Sequence, residues 1–375
     1  MSTAFLEMSP VWLPYLIAGV CIVVAAIYYF NWPTNAAKNG GQTSVINKEI
    51  NQSLQHARLR NKDEDTHQTL DLPDGRKLGY AYYGSTSTNA PTIIFIHGSG
   101  DNRLSGGFFH KAAEDLNMRI ISIDRPGWGL STMRMGGTVL EFAQDVKYLT
   151  SELDIQHYGL MGASGGGPFT LACAYALPAK QLKSVTMLIA AGPWKSTVMR
   201  HAKWFPWLFW TVINNSAVLR RWGARKAMEA NSNKSCEDYV AVTRKQMTSW
   251  WVHLLSRPHE KDLALFEDDA LFEFSYDLMQ ENCRRTDGVD GMVEDWRVMT
   301  TEDLGFQLED IRLDLPIQLW YGRHDASVSW HVGEDLKRRL HGDHVELHVR
   351  EETHLSMLFS CGTEVLTNAL EHIEK

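Results

Sequence analysis

The sequence predicts a mostly parallel, eight-stranded, doubly wound α/β sheet with a helical cap insertion, preceded by one transmembrane helix. Three observations predict it. Short apolar runs that end in turn residues recur along the chain and alternate with helical patterns. That alternation breaks once, between Ala191 and Leu315, over a tryptophan-rich stretch without strand signals. Near the N-terminus, Val11 to Phe30 carries no charge over 20 residues.

In chain order, the N-terminal run comes first. At 1.5 Å per residue a helix of that length crosses a hydrocarbon core of about 30 Å. Trp12, Tyr15, Tyr28, Tyr29 and Trp32 lie near its ends, where interfacial aromatics sit. A cleaved signal peptide is the alternative, but no Lys or Arg precedes the run and it exceeds a usual h-region of about 7–15 residues. We therefore read residues 1–32 as a membrane anchor. Lys38, Lys48, Arg58 and Arg60 follow it, and only Glu7 is charged before it, so the positive-inside rule puts the large domain in the cytosol. Residues 33–66 are polar and read as a linker, helical around Ile46–Leu59.

The strands follow. "QTLDL" and "KLGYAYYG" flank "PDG", a hairpin signal. "TIIFIHG", "MRIISID", "YGLMGAS", "SVTMLIAA", "LPIQLWYG" and "HVELHV" are apolar with little alternation, as buried parallel strands are. Helices are expected over Phe108–Leu116, Val139–Leu153, the run after Ser164, Val332–Leu340 and Ser356–Ile373. The domain map is residues 67–194 as the first part of the core, 195–313 as the cap and 314–375 as the second part.

Composition narrows the function. A net charge of −8 argues against nucleic acid. The five cysteines are scattered with no C-x-x-C spacing, so no disulfide framework and no zinc site is expected. No metal or organic cofactor is implied.

The chemistry centres on "GASGG", Gly162 to Gly166, a G-x-S-x-G match between a strand and a helix. Small residues allow a sharp turn that exposes the Ser164 oxygen. A serine hydroxyl needs a base. His354 in "REETHLSM" follows the last strand and is the best placed, ahead of His324, His331, His341, His344 and His348. The imidazole needs an acid to fix its tautomer. Asp325 in "LWYGRHD" follows the preceding strand at the same sheet edge, while the strand before that ends in Gly192-Pro193 without an acid. Backbone donors for an oxyanion are expected at Gly165 and at Ser99 of "HGSG". His97 reads as structural.

These landmarks, with "DRPGWGLS" from Asp124 to Ser131, resemble the α/β-hydrolase fold superfamily, in its branch of serine hydrolases with a helical cap. The resemblance covers about Asp65 to the C-terminus and implies a Ser164–Asp325–His354 triad with an oxyanion hole at Ser99 and Gly165. It also implies that "DRPGWG" shapes the pocket floor. Thr353 departs from the family, where many relatives have glycine before the histidine. "HGSG" is similar to the loop of C–C bond hydrolases that act on ring-cleavage products.

In the cap, "HAKWFPWLFWTVI" spaces Trp204, Trp207 and Trp210 three apart. These aromatics can be the cap's own core, an apolar tunnel for a long substrate chain, or an interfacial helix on the bilayer. The expected function is a membrane-anchored serine hydrolase of small-molecule or lipid esters. An amide or C–C bond hydrolase on the same triad, and a noncatalytic binding protein, are the alternatives.

Overall fold

The strands named above assemble into one sheet in the computed structural model, which describes residues 43–193, 216–247, 259–267, 269–285 and 287–373. The strands are β1 (Gln68–Asp71), β2 (Lys77–Gly84), β3 (Thr92–Ile96), β4 (Arg119–Ile123), β5 (Tyr158–Ala163), β6 (Leu182–Leu188), β7 (Ile317–Gly322) and β8 (Val345–Arg350). Their spatial order is β1-β2-β4-β3-β5-β6-β7-β8. The hairpin strand β2 runs antiparallel to β1 and β4, and every other pairing is parallel.

Alternation is missing from the central strands because both faces are covered. In β3 all five residues are buried. Ile94 and Ile96 pack on one face with Phe142, Val146 and Phe169, whereas Ile93 and Phe95 pack on the other with Phe109, Val365 and Leu366. Parallel register aligns Ile96 with Gly162 and Leu188 with Trp320. The carboxyl ends of β3, β5, β6 and β7 therefore open on one edge, where ligands bind in such sheets.

The expected helices differ in detail. The segment Phe108–Leu116 divides into a 3-10 stretch, Arg103–Phe109, and a short helix, His110–Asp115. The last expected helix is two: His354–Ser360 and Gly362–Ile373. The polar segment read as linker contains an 18-residue helix, α1 (Thr43–Arg60). It is a packed element: Ile50, Leu54 and Ala57 are buried with Leu104, Leu271, Phe274 and Leu278. Arg58 donates to Asp277 at 2.7 Å and also pairs with Glu273.

Between β6 and β7 the described regular elements are helical, with no strand: Ala217–Asn231, Cys236–Met247, Glu260–Leu265, Ala270–Cys283, Gly288–Met299 and the 3-10 turn Leu308–Asp310. Trp204, Trp207 and Trp210 lie outside the described residues, as does the uncharged run Val11–Phe30. Among the described residues, no helix is long and apolar enough to cross a membrane.

Candidate active site

Ser164 ends the turn out of β5 with φ +48°, a left-handed conformation that non-glycine residues adopt sparingly. Its carbonyl accepts from Ala191 N–H at 2.8 Å, which fastens the turn to the segment leaving β6. The surrounding glycines are required by contact. A Cβ on Gly162 would fall 1.7 Å from Thr170 Oγ1, and one on Gly165 would fall 2.5 Å from Met299 Sδ and 2.9 Å from Ser99 N. The second measurement shows how closely the "HGSG" loop approaches the residue after Ser164.

The three expected side chains meet. His354 Nε2 lies 3.1 Å from Ser164 Oγ, and His354 Nδ1 lies 2.7 Å from Asp325 Oδ2. Asp325 is oriented by two backbone donors, Ser327 N–H at 2.7 Å and Val328 N–H at 2.8 Å, both to Oδ1. Beside that carboxylate Nδ1 carries the ring proton, which leaves Nε2 as the acceptor facing the serine. Burial opposes charging of His354, but the charge and hydrogen bond of Asp325, with Asp262 and Asp101 further off, outweigh it. The imidazole therefore titrates above its ordinary 6.5.

Thr353 explains its own departure from the expected glycine. Its hydroxyl accepts Ser356 N–H at 3.0 Å, and Ser356 Oγ accepts Thr353 N–H at 2.8 Å, capping the helix that begins with His354. The same hydroxyl donates to Asp262 at 2.5 Å. Asp262 sits on the cap helix Glu260–Leu265, whose Lys261 donates to Glu351 O at 2.7 Å and pairs with Glu352 at 2.6 Å. The histidine loop is thus gripped by the cap.

The oxyanion candidates Ser99 and Gly165 are braced from below by Arg125. Its guanidinium donates to Gly165 O and Gly98 O, each at 2.9 Å, and pairs with the buried Asp295 of Gly288–Met299 at 3.1 Å. His97 is structural. Its Nδ1 lies 2.8 Å from Gly98 O and its Nε2 accepts Arg125 N–H at 3.0 Å. Burial, then the Arg125 charge, hold it well below 6.5, so it stays neutral.

Sequence reasoning missed Arg125, Asp262 and Asp101 as individuals. Arg125 stands inside "DRPGWG", and Asp101 directly follows "HGSG", so motif position was a signal for both. Asp262 had none, because its partner is 91 residues away.

Ser164 and His354 open on a cavity of about 210 Å³. Its walls are largely apolar, with Phe95, Phe108, Leu271, Leu278, Leu358 and Phe359 among them. Among the described residues one further cluster suggests metal ligation: ring or carboxylate atoms of His56, His110 and Glu114 lie within 4.8 Å of one another. His110 Nδ1 accepts Gly84 N–H at 2.9 Å, so its other nitrogen holds the proton, and the trio does not fit a cation.

A family model described as the alpha/beta hydrolase fold matches residues 91–359. A curated 2-hydroxy-6-oxononadienedioate/2-hydroxy-6-oxononatrienedioate hydrolase of Cupriavidus pinatubonensis is 29% identical over 127 residues, 32% of this chain and 44% of that enzyme. The match thus spans less than half of that relative. Among solved structures, a carboxylesterase of the thaumarchaeon Nitrososphaera gargenis aligns with TM-score 0.59 at 15% identity, over 82% of this chain and 99% of that one. An enol-lactonase from Burkholderia xenovorans LB400 aligns with TM-score 0.56 at 17% identity, over 81% of this chain and all of that one (100%).

Proposed function

From the premise that this chain belongs to the alpha/beta hydrolase fold family, we propose that it is a serine hydrolase cleaving carboxylic esters through an acyl-enzyme, tethered to a membrane by residues 1–32. The observation that carries the reading is the continuous hydrogen-bonded path from Ser164 Oγ through His354 to Asp325.

Ser164 Oγ attacks the ester carbonyl and gives its proton to His354 Nε2. The carbonyl electrons move to oxygen, which accepts from Ser99 and Gly165 N–H. Asp325 stabilises the imidazolium. The tetrahedral intermediate collapses, His354 hands the proton to the leaving alcohol, and Ser164 is left acylated. Water, deprotonated by His354, attacks the acyl carbon, and the free acid departs as Ser164 regains its proton.

A C–C bond hydrolase on the same residues is the second reading, favoured by the sequence match to the dienedioate hydrolase. Against it, the described walls of the cavity hold no lysine or arginine to receive a dianion. The tether reading rests on Val11–Phe30, and with it goes a lipid ester as the substrate concentrated at the bilayer. We place the catalytic domain on the cytosolic side, from the basic residues after that run.

Ser164→Ala tests the core of the proposal. It should abolish labelling by a fluorophosphonate probe and lower kcat by on the order of 10⁴ or more. Full activity without labelling would overturn it. Esters and vinylogous diketones offered side by side separate the two readings.

A further inference from the structure

The catalytic cavity contains one feature that ester hydrolysis itself does not use. Asp101 stands on its wall. The residue follows "HGSG" directly, and a Cβ built on Gly98 would lie 3.2 Å from Asp101 Oδ2 and 3.1 Å from Ser164 Cβ. Carboxylate and nucleophile therefore flank the same small residue. Asp101 N–H is used locally, on Gly98 O at 3.4 Å, but no described residue donates a hydrogen bond to its carboxylate. The neighbouring Ser105 hydroxyl is turned away and donates to Asn102 O at 2.8 Å. Arg125 attracts it at longer range, with its two terminal nitrogens committed to Gly98, Gly165 and Asp295.

Asp101 is half-buried, and its carboxylate on the cavity wall is open to a donor carried by a ligand; a hydrogen bond to a charged acceptor is worth about 1.5–3 kcal/mol, or about ten- to a hundredfold. Burial raises this carboxyl to about 6, with Arg125 and His354 pulling the other way, so it is charged at neutral pH. A charged acceptor attracts donors and repels anions.

We propose that Asp101 is a specificity-determining residue, and that the substrate is an ester carrying a hydroxyl or ammonium group on the part seated in this cavity, while carboxylate-bearing esters are excluded. This deepens the serine-hydrolase reading and rests on it. The chemistry balances as before, because Asp101 exchanges no proton or bond with the substrate.

The test uses the full-length protein and two matched ester series, one varying the end of the acyl chain and one the end of the alcohol. In each, the terminus is methyl, hydroxyl, amino or carboxylate. Active sites are counted by fluorophosphonate titration, so each kcat/KM refers to labelled enzyme. In at least one series the amino and hydroxyl members should exceed the carboxylate member by about ten- to a hundredfold, the range of a hydrogen bond to a charged group. In Asp101→Asn the amino-to-carboxylate ratio should shrink by about tenfold or more, since the neutral amide no longer repels the anion. Asp101→Ser gives a second variant should the amide fold poorly. Ratios that are flat in the native protein, or unchanged in both variants, overturn the inference while probe labelling leaves the hydrolase reading standing. A uniform rise across all four termini also overturns it, because Asp101 would then act on the oxyanion and not on the substrate terminus. A native protein that does not label removes both.

Discussion

At Ser164 the backbone is held in a conformation its side chain disfavours, by about 1–2 kcal/mol for an L-residue. Removing the side chain in two ways separates strain from chemistry. Ser164→Gly should be more stable than Ser164→Ala by about 0.5–1 kcal/mol, after the larger unfolded-state freedom of glycine is subtracted. Thermal denaturation of the two inactive variants measures it, and a Ser164→Gly variant less stable than Ser164→Ala by the glycine cost of about 0.5–1 kcal/mol would mean that the turn carries no strain. His354 gives a second residue-scale expectation. The base must be neutral, and its pKa is raised in the free protein, so kcat/KM should fall with acidification along a limb centred above 6.5. Asp262 contributes to that rise, so Asp262→Asn should move the limb to lower pH, in the direction of Asp325→Asn but by less. A pH–rate profile reads both, and an unmoved limb in Asp262→Asn would leave Asp262 a purely mechanical contact.

Elements were legible in the sequence where one interaction type decides them. Central strands declared themselves as unbroken apolar runs, and "GASGG" announced a turn because several tight contacts there exclude a side chain. Ser164, Asp325 and His354 each followed a strand, so topology alone brought them to one edge. What stayed hidden depends on partners distant in sequence. The amphipathic signal of α1 is weak because its buried stripe is narrow, Ile50, Leu54 and Ala57, wedged between the cap and Leu104, while its polar side is engaged by Glu273 and Asp277. The split of the last helix at Cys361 could not be read from an apolar pattern that runs through it. α1 yields a prediction at this scale. Leu54 is 1% exposed and shares a cluster with Leu271 and Leu278 of the cavity wall. Leu54→Ala should destabilise by about 2–5 kcal/mol, the usual cost of emptying a core position. Denaturant unfolding checks it, and a loss below about 0.5 kcal/mol, the scale of a surface change, would show α1 to be only loosely docked.

For the whole molecule the proposed tether and the packed helix α1 make opposite demands on a truncation. Deleting residues 1–32 should release the protein from carbonate-washed membranes and leave its fluorophosphonate labelling intact. Deleting through residue 60 should expose the apolar surface around Phe274 and Leu278 and lose labelling with the fold. Retention of the shorter deletion in the membrane would contradict the anchor. Acyl chain length tests the lipid reading. Each buried CH₂ contributes up to about 0.8 kcal/mol, so kcat/KM should climb with chain length until the cavity is full. Strict preference for acetyl esters would leave a small-ester hydrolase.

Three carboxylates of the insertion complete charge or hydrogen-bond pairs that begin in the sheet domain. Glu281 faces Arg103 at 2.7 Å, Asp295 faces Arg125 at 3.1 Å, and Asp262 takes the hydroxyl beside His354. Arg103 and Arg125 are wholly buried. Grafting an insertion without these acids in place of residues 195–313 would leave Arg103 to Asp124 alone, at 3.1 Å, and strand Arg125 in the interior, where an unpaired buried charge costs about 3–5 kcal/mol. The insertion is accordingly no interchangeable cassette. A transplanted insertion would have to bring an acid to the position of Asp295, and a specificity changed by point substitution within residues 195–313 leaves these pairs in place.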